Sequence, residues 1–124
     1  MKIKTSTLIG TALDWAVAKA MGLDPEIRHT GLYARGWPRA GCSECPQRIT
    51  PSTDWAQGGP IIEREWLDVT PWPNESDENL RWQCSQHDSI DCTYFGPTPL
   101  IAAMRCYVAS KLGDEVDVPE ELCI

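Results

Sequence analysis

Two stretches of the chain carry a continuous helical pattern, and the region between them carries a shorter, broken one. From Leu8 to Met21 apolar side chains recur with few polar interruptions. Gly10, Ala12, Ala16, Ala18 and Ala20 would let another backbone approach closely, and Leu8, Ile9, Leu13 and Trp15 supply bulk. Thr7 or a neighbour is placed to cap this helix and Gly22 to stop it. Asp14 is the discordant residue. On a buried face it must find a donor, so it is expected to be solvent-exposed or a structural hydrogen-bond acceptor, with membership of a site as the alternative.

The second helix is better marked. Gly96-Pro97-Thr98-Pro99 offers a cap at Thr98 with proline at the first helical position, and Gly113 follows the last turn. Leu100, Ile101, Met104, Val108 and Leu112 form one apolar face. The opposite flank of Ala102, Cys106, Ala109 and Ser110 predicts packing on both sides, with Arg105 at the boundary. Between the helices, residues 67–69, 81–84 and 93–95 read as strands separated by turn-rich segments, and residues 27–33 as a further one. The acidic tail 113–121 reads as a solvated edge. The fold class expected is α+β: a small single domain, residues 1–124, with two helices packed on a short antiparallel sheet and long irregular loops.

Composition sharpens this picture. A chain of 124 residues with 42% hydrophobic content is long enough for one core and not for two. Six tryptophans against one phenylalanine favour roles in which a large apolar body also offers a hydrogen-bond donor, as at binding surfaces, although several can simply fill core volume. The net charge of −7 is unevenly spread. Residues 1–48 carry 7 basic and 4 acidic side chains, whereas residues 49–124 carry 4 basic and 14 acidic ones. Direct nucleic-acid binding needs a basic face, and only a local patch of Arg28, Arg35, Arg39 and Arg48 offers one, which argues against that class. The N-terminal apolar stretch is interrupted by Asp14 and Lys19 and resembles no secretory signal, and no run is long enough to cross a bilayer. A soluble protein of the bacterial cytoplasm is expected, where persistent disulfides are rare.

The segment Ser52-Thr53-Asp54-Trp55-Ala56-Gln57-Gly58-Gly59-Pro60-Ile61-Ile62-Glu63-Arg64-Glu65 is the strongest candidate for a presenting edge. Gly58 and Gly59 suit a flexible turn and Pro60 the first turn of a helix, which would hold Asp54, Trp55 and Gln57 at a loop-to-helix junction. The competing expectation is a tight connection with Trp55 in the core.

The six cysteines raise a separate question. Cys42 and Cys45 have knuckle spacing, and Cys84, His87 and Cys92 offer later ligands, so a closed tetrahedral structural zinc site is the one cofactor the spacing suggests, against reduced free thiols. Catalysis has little support. His29 and His87 stand in no signature, and Glu63 and Glu65 do not face each other on a helix.

The words Thr11-Ala12-Leu13-Asp14-Trp15-Ala16-Val17-Ala18, Ser52 to Ile62 and Gly96-Pro97-Thr98-Pro99-Leu100-Ile101-Ala102-Ala103-Met104-Arg105 resemble the NinX family of lambdoid phages and prophages, a domain of unknown function. The resemblance covers about half the chain, with the cysteine-bearing stretches 33–48 and 66–94 outside it. It implies a phage accessory protein from a region generally dispensable for growth, with no established reaction or cofactor. The function expected is a noncatalytic protein that binds a host protein and modifies a host process, defence among the candidates. Its surface would be Asp54, Trp55, Gln57, Gly58 and Gly59, beside Asp14, Trp15 and Arg105. The alternative is a binder of small, nucleotide-like molecules, with Asp54 or Gln57 reading polar groups and Arg105 meeting an anion.

Overall fold

A computed structural model describes residues 1–37, 45–72, 77–86 and 89–122. Strand β1 (Lys2–Lys4) leads through a 3-10 turn (Thr5–Thr7) into helix α1 (Gly10–Ala20). Strands β2 (Glu26–Arg28), β3 (Gly31–Ala34) and β4 (Gln47–Arg48) precede helix α2 (Trp55–Glu65). Strand β5 (Leu67–Pro71), a 3-10 turn (Glu78–Leu80), β6 (Trp82–Gln86) and β7 (Ser89–Gly96) then lead to helix α3 (Pro99–Leu112) and strand β8 (Glu115–Asp117). All strand pairs are antiparallel, in three small sheets ordered β1-β8, β2-β3-β4 and β5-β6-β7. The expected α+β class holds, with three α-helices rather than two among the described residues.

Helix α3 is where the pattern of the sequence is most literally obeyed. The Thr98 hydroxyl accepts from the Ile101 amide at 3.1 Å, Pro99 opens the helix where its missing N–H costs nothing, and Gly113 ends it at φ 92°. Every residue from Leu100 to Val108 is buried. A helix without a wet face must be covered on both sides. The β5-β6-β7 sheet lies against it, α1 and α2 pack on it as well, and Ala102 and Ala103 keep the backbones close. The core gathers here: Leu13 and Val17 from α1, Ile61 from α2, Cys84 from β6, and Met104 and Val108 from α3 are fully buried.

Several local expectations shift. Residues 27–33 form a hairpin, β2-β3, which turns at His29 and Thr30, not one strand. Helix α1 starts at Gly10 with no side-chain cap, because Thr5–Thr7 form their own 3-10 turn and the Thr7 hydroxyl donates to the Lys4 carbonyl at 2.8 Å. Gly22 does stop it, at φ 81°. The acidic tail is partly structural: Glu115–Asp117 pairs with β1, and Val116 and Val118 are buried.

The largest shift concerns α2. It begins at Trp55, so Gly58 and Gly59 lie inside the helix and Pro60 is an interior residue, not a first-turn one. Asp54 is the reason: its carboxylate caps the new helix by accepting from the Ala56 amide at 3.0 Å. Gly58 is needed for space. A β-carbon there would fall on the Pro51 carbonyl oxygen and on Leu100 of α3. A β-carbon on Gly59 would meet only the Trp55 ring, at an ordinary 3.9 Å.

Two glycine substitutions in one helix should therefore move stability in opposite directions. Removing a helical glycine gains about 1 kcal/mol in propensity, and overpacking costs about 1–3 kcal/mol. Gly59→Ala is expected to stabilise by about 0.5–1 kcal/mol. Gly58→Ala is expected to destabilise by about 1–2 kcal/mol or more, because its backbone neighbour cannot rotate away. Urea denaturation of both variants checks the pair, and equal signs would contradict the packing described.

Candidate functional site

The residues of the presumed presenting edge divide between the inside and the outside of α2. Gln57 turns inward. Its Oε1 accepts from the Thr50 amide at 2.6 Å and its Nε2 donates to the Arg48 carbonyl at 3.1 Å, so one side-chain amide staples the helix to the segment after β4. Asp14 reaches the same segment from α1, its Oδ1 accepting from the buried Ser52 amide at 2.8 Å. The Asp54 amide donates to Thr50 at 2.8 Å, closing the turn. Asp14, Asp54 and Gln57 thus converge on residues 48–54 as backbone holders.

Asp14 has the environment of a strained anion. It is 5% exposed, and burial pushes its pKa from the ordinary 3.8 to about 6, while the neighbouring Ser52 amide and hydroxyl pull it back. The hydroxyl itself forms no well-aligned hydrogen bond among the described residues. The structural-acceptor role expected for Asp14 is the one found.

What α2 turns outward includes two large indoles, beside the exposed charges of Glu63 and Arg64. Trp55 is 55% exposed and Trp66, directly after the helix, is 70% exposed. Trp55, Gly59, Ile62 and Trp66 are spaced by four, three and four residues, which places them along one side of a helix. The Trp55 ring lies over Gly59. Trp66 adopts the left-handed conformation, φ 54° and ψ 46°, and is the one non-glycine residue at positive φ among those described. Glycine or asparagine normally occupies such a cap, and a bulky aromatic there is held at a cost. Trp66 lies one residue beyond the segment 52–65; its signal in the sequence is a second tryptophan eleven residues after the first.

The other expected site residues lie elsewhere. Trp15 is half-buried against the core, with the Lys19 ammonium 5.7 Å from its ring centroid. Arg105 is 7% exposed, donating from Nε to the Leu8 carbonyl and from Nη1 to the Phe95 carbonyl, each at 2.7 Å. It lines an open cleft of about 670 Å³ to which no residue of α2 contributes.

The expected zinc ligands do not form a cluster among the described residues. Cys42 and His87 lie outside the described residues, and Cys92 is described only as a position in β7. Cys45 is disulfide-bonded, and Cys84 is buried in the core on β6.

With this geometry in place, similarity decides the lineage. The family model described as bacteriophage P22 NinX matches residues 4–111. The chain belongs to the NinX family. The match spans the cysteine-bearing stretches as well as the three words that first resembled the family, and it makes the chain a phage accessory protein. No curated protein is similar to it. Among the described residues of this NinX protein, no helix is long and apolar enough to cross a membrane.

The Asp14 environment gives a pH dependence of definite sign. Between pH 3.8 and about 6 the folded protein holds a proton that the unfolded chain has lost, so stability is greatest below that window and falls as pH rises through it. The loss attributable to this group is on the order of 3 kcal/mol. Asp14→Asn keeps an oxygen for the Ser52 amide and cannot ionise. Denaturant titrations at several pH values should show the wild type losing stability relative to this variant from about pH 4 to pH 6.5. A pH-independent difference would contradict the burial of the carboxyl.

Proposed function

We propose that this phage accessory protein is a noncatalytic binding protein that captures a host protein on the outer face of α2, with Trp55 and Trp66 as the two anchors. The observation that carries this reading is Trp66: an indole 70% exposed and held in a left-handed helix cap that a glycine would fill more easily. Residues held in sparsely populated backbone conformations cluster at functional sites. Trp55, 55% exposed on the same side of the helix, provides a second indole, and tryptophan is among the commonest binding hot spots.

The inner face supports the same function by making the platform rigid. Asp54, Gln57 and Gly58 fix α2 to residues 48–54 and to α3, so binding need not immobilise the helix. Charge adds a bias in partner choice. The 14 acidic side chains of residues 49–124 outnumber the basic ones by ten, which favours encounter with a basic surface. Modification of a host process, defence included, follows from such capture as the biological reading.

Two substitutions separate binding from folding. Trp66→Gly is expected to raise stability by about 1 kcal/mol through relief of the left-handed backbone, while weakening capture. The Trp55→Ala/Trp66→Gly protein is expected to fold and to lose a host protein that the wild type retains stoichiometrically on an affinity support, measured by quantitative mass spectrometry of the eluates. Equal retention of every host protein by both folded forms would refute the α2 surface.

A further inference from the structure

The cleft beside α3 carries chemistry that the α2 surface does not use. It is lined by Ser6, Thr7 and Ile9 before α1, Asn79 and Leu80 of the second 3-10 turn, Thr93 to Phe95 of β7, and Arg105. We propose that this cleft is a second binding site, for a small organic anion that carries one carboxylate or phosphate group on an apolar ring.

The argument begins with Arg105. A guanidinium has five N–H donors and keeps its charge in any protein environment. Two donors are committed, Nε to Leu8 and Nη1 to Phe95, and Nη2 makes no hydrogen bond among the described residues. Both acceptors are neutral carbonyls. No described carboxylate forms an ion pair with Arg105, and burial lowers its pKa with no opposing charge to raise it. A buried cation without an anion is an expensive arrangement, since desolvation is compensated only in part by neutral dipoles. A bound oxyanion would complete it, accepting from the Nη2 edge in the manner favoured for carboxylate and phosphate.

The walls define the rest of the ligand. Among the described residues no Asp or Glu lines the cleft, so an anion meets no like charge from them at the wall. Ile9, Leu80 and Phe95 give apolar surface, and the Ser6 hydroxyl and Asn79 amide give neutral polar groups. A volume of about 670 Å³ lies within the range of small-molecule sites and exceeds what a bare inorganic ion would occupy.

Nuclear magnetic resonance titration of the full chain tests the site with benzoate, adenosine 5′-monophosphate and inorganic phosphate, and with benzyl alcohol and adenosine as uncharged counterparts. Saturable shifts confined to residues 6–9, 79–80, 93–95 and the Arg105 side chain are expected with benzoate or the nucleotide, at least about tenfold tighter than with the matching uncharged compound. Which of the two binds distinguishes a carboxylate site from a phosphate site. Arg105→Gln should abolish the shifts. Because that change also loosens Leu8 and Phe95, Ser6→Tyr provides an independent test: Ser6 is exposed, makes none of the Arg105 bonds, and a ring there narrows the cleft. A folded Ser6→Tyr protein should bind at least about tenfold more weakly. No saturable shift with any of the three anions, equal binding of charged and uncharged partners, or unchanged binding by Ser6→Tyr would each overturn the proposal.

Discussion

The structure depends on a helix whose middle has no solvent face and yet carries a charge. Nine consecutive residues of α3, Leu100 to Val108, are buried, and Arg105 lies among them. Its two 2.7 Å hydrogen bonds tie the carbonyl of Leu8, at the entry to α1, and that of Phe95, near the end of β7, to the central helix. Hydrogen bonds to a charged group contribute about 1.5–3 kcal/mol each, more than neutral ones. The same side chain therefore positions the first helix and the last strand of the β5-β6-β7 sheet against one axis, and it brings a cation to the wall of a cleft.

A second knot holds α2. Residues 48–54 have little regular structure of their own after β4, and their polar backbone is satisfied from outside: Gln57 serves Thr50 and Arg48, and Asp14 serves Ser52. A buried backbone amide without a partner is costly, so these side chains are fixed by the accounting of the backbone more than by any ligand. With the inner face of α2 committed in this way, Trp55 and Trp66 remain outside, together with the exposed Glu63 and Arg64. The Lys111–Glu65 ion pair at 3.2 Å adds a link from α3 to the end of α2, though with Lys111 half-exposed its contribution is small.

Much of the fold was legible in the sequence, and the reasons are local. Thr98, Pro99 and Gly113 are start and stop signals whose effect depends on neighbouring backbone alone, and α3 follows them. The strands of the β5-β6-β7 sheet appeared near their expected positions for the same reason. The site was less legible because its residue types are ambiguous. Asp, Gln and Gly in a row suit a presenting loop and also a capped, stapled, closely packed helix, and only the positions of Thr50, Pro51 and Leu100 in space choose the second. Nothing in the sequence sets Trp66 apart from the other five tryptophans, because its significance lies in its backbone conformation and exposure. The Arg105 cleft is assembled from four separated segments and left no contiguous pattern.

The claim on which the account rests most heavily is that α2 is a fixed platform, with Gln57 turned inward to hold the chain and the indoles of Trp55 and Trp66 turned outward. Native-state hydrogen exchange at the Thr50 and Ser52 amides tests this most directly, since their acceptors are the Gln57 and Asp14 side chains. The account expects both amides to exchange as slowly as those of α3, opening only with global unfolding. Exchange at the rate of an unprotected loop would show that the staples are not held in solution, and the rigid platform would have to be abandoned.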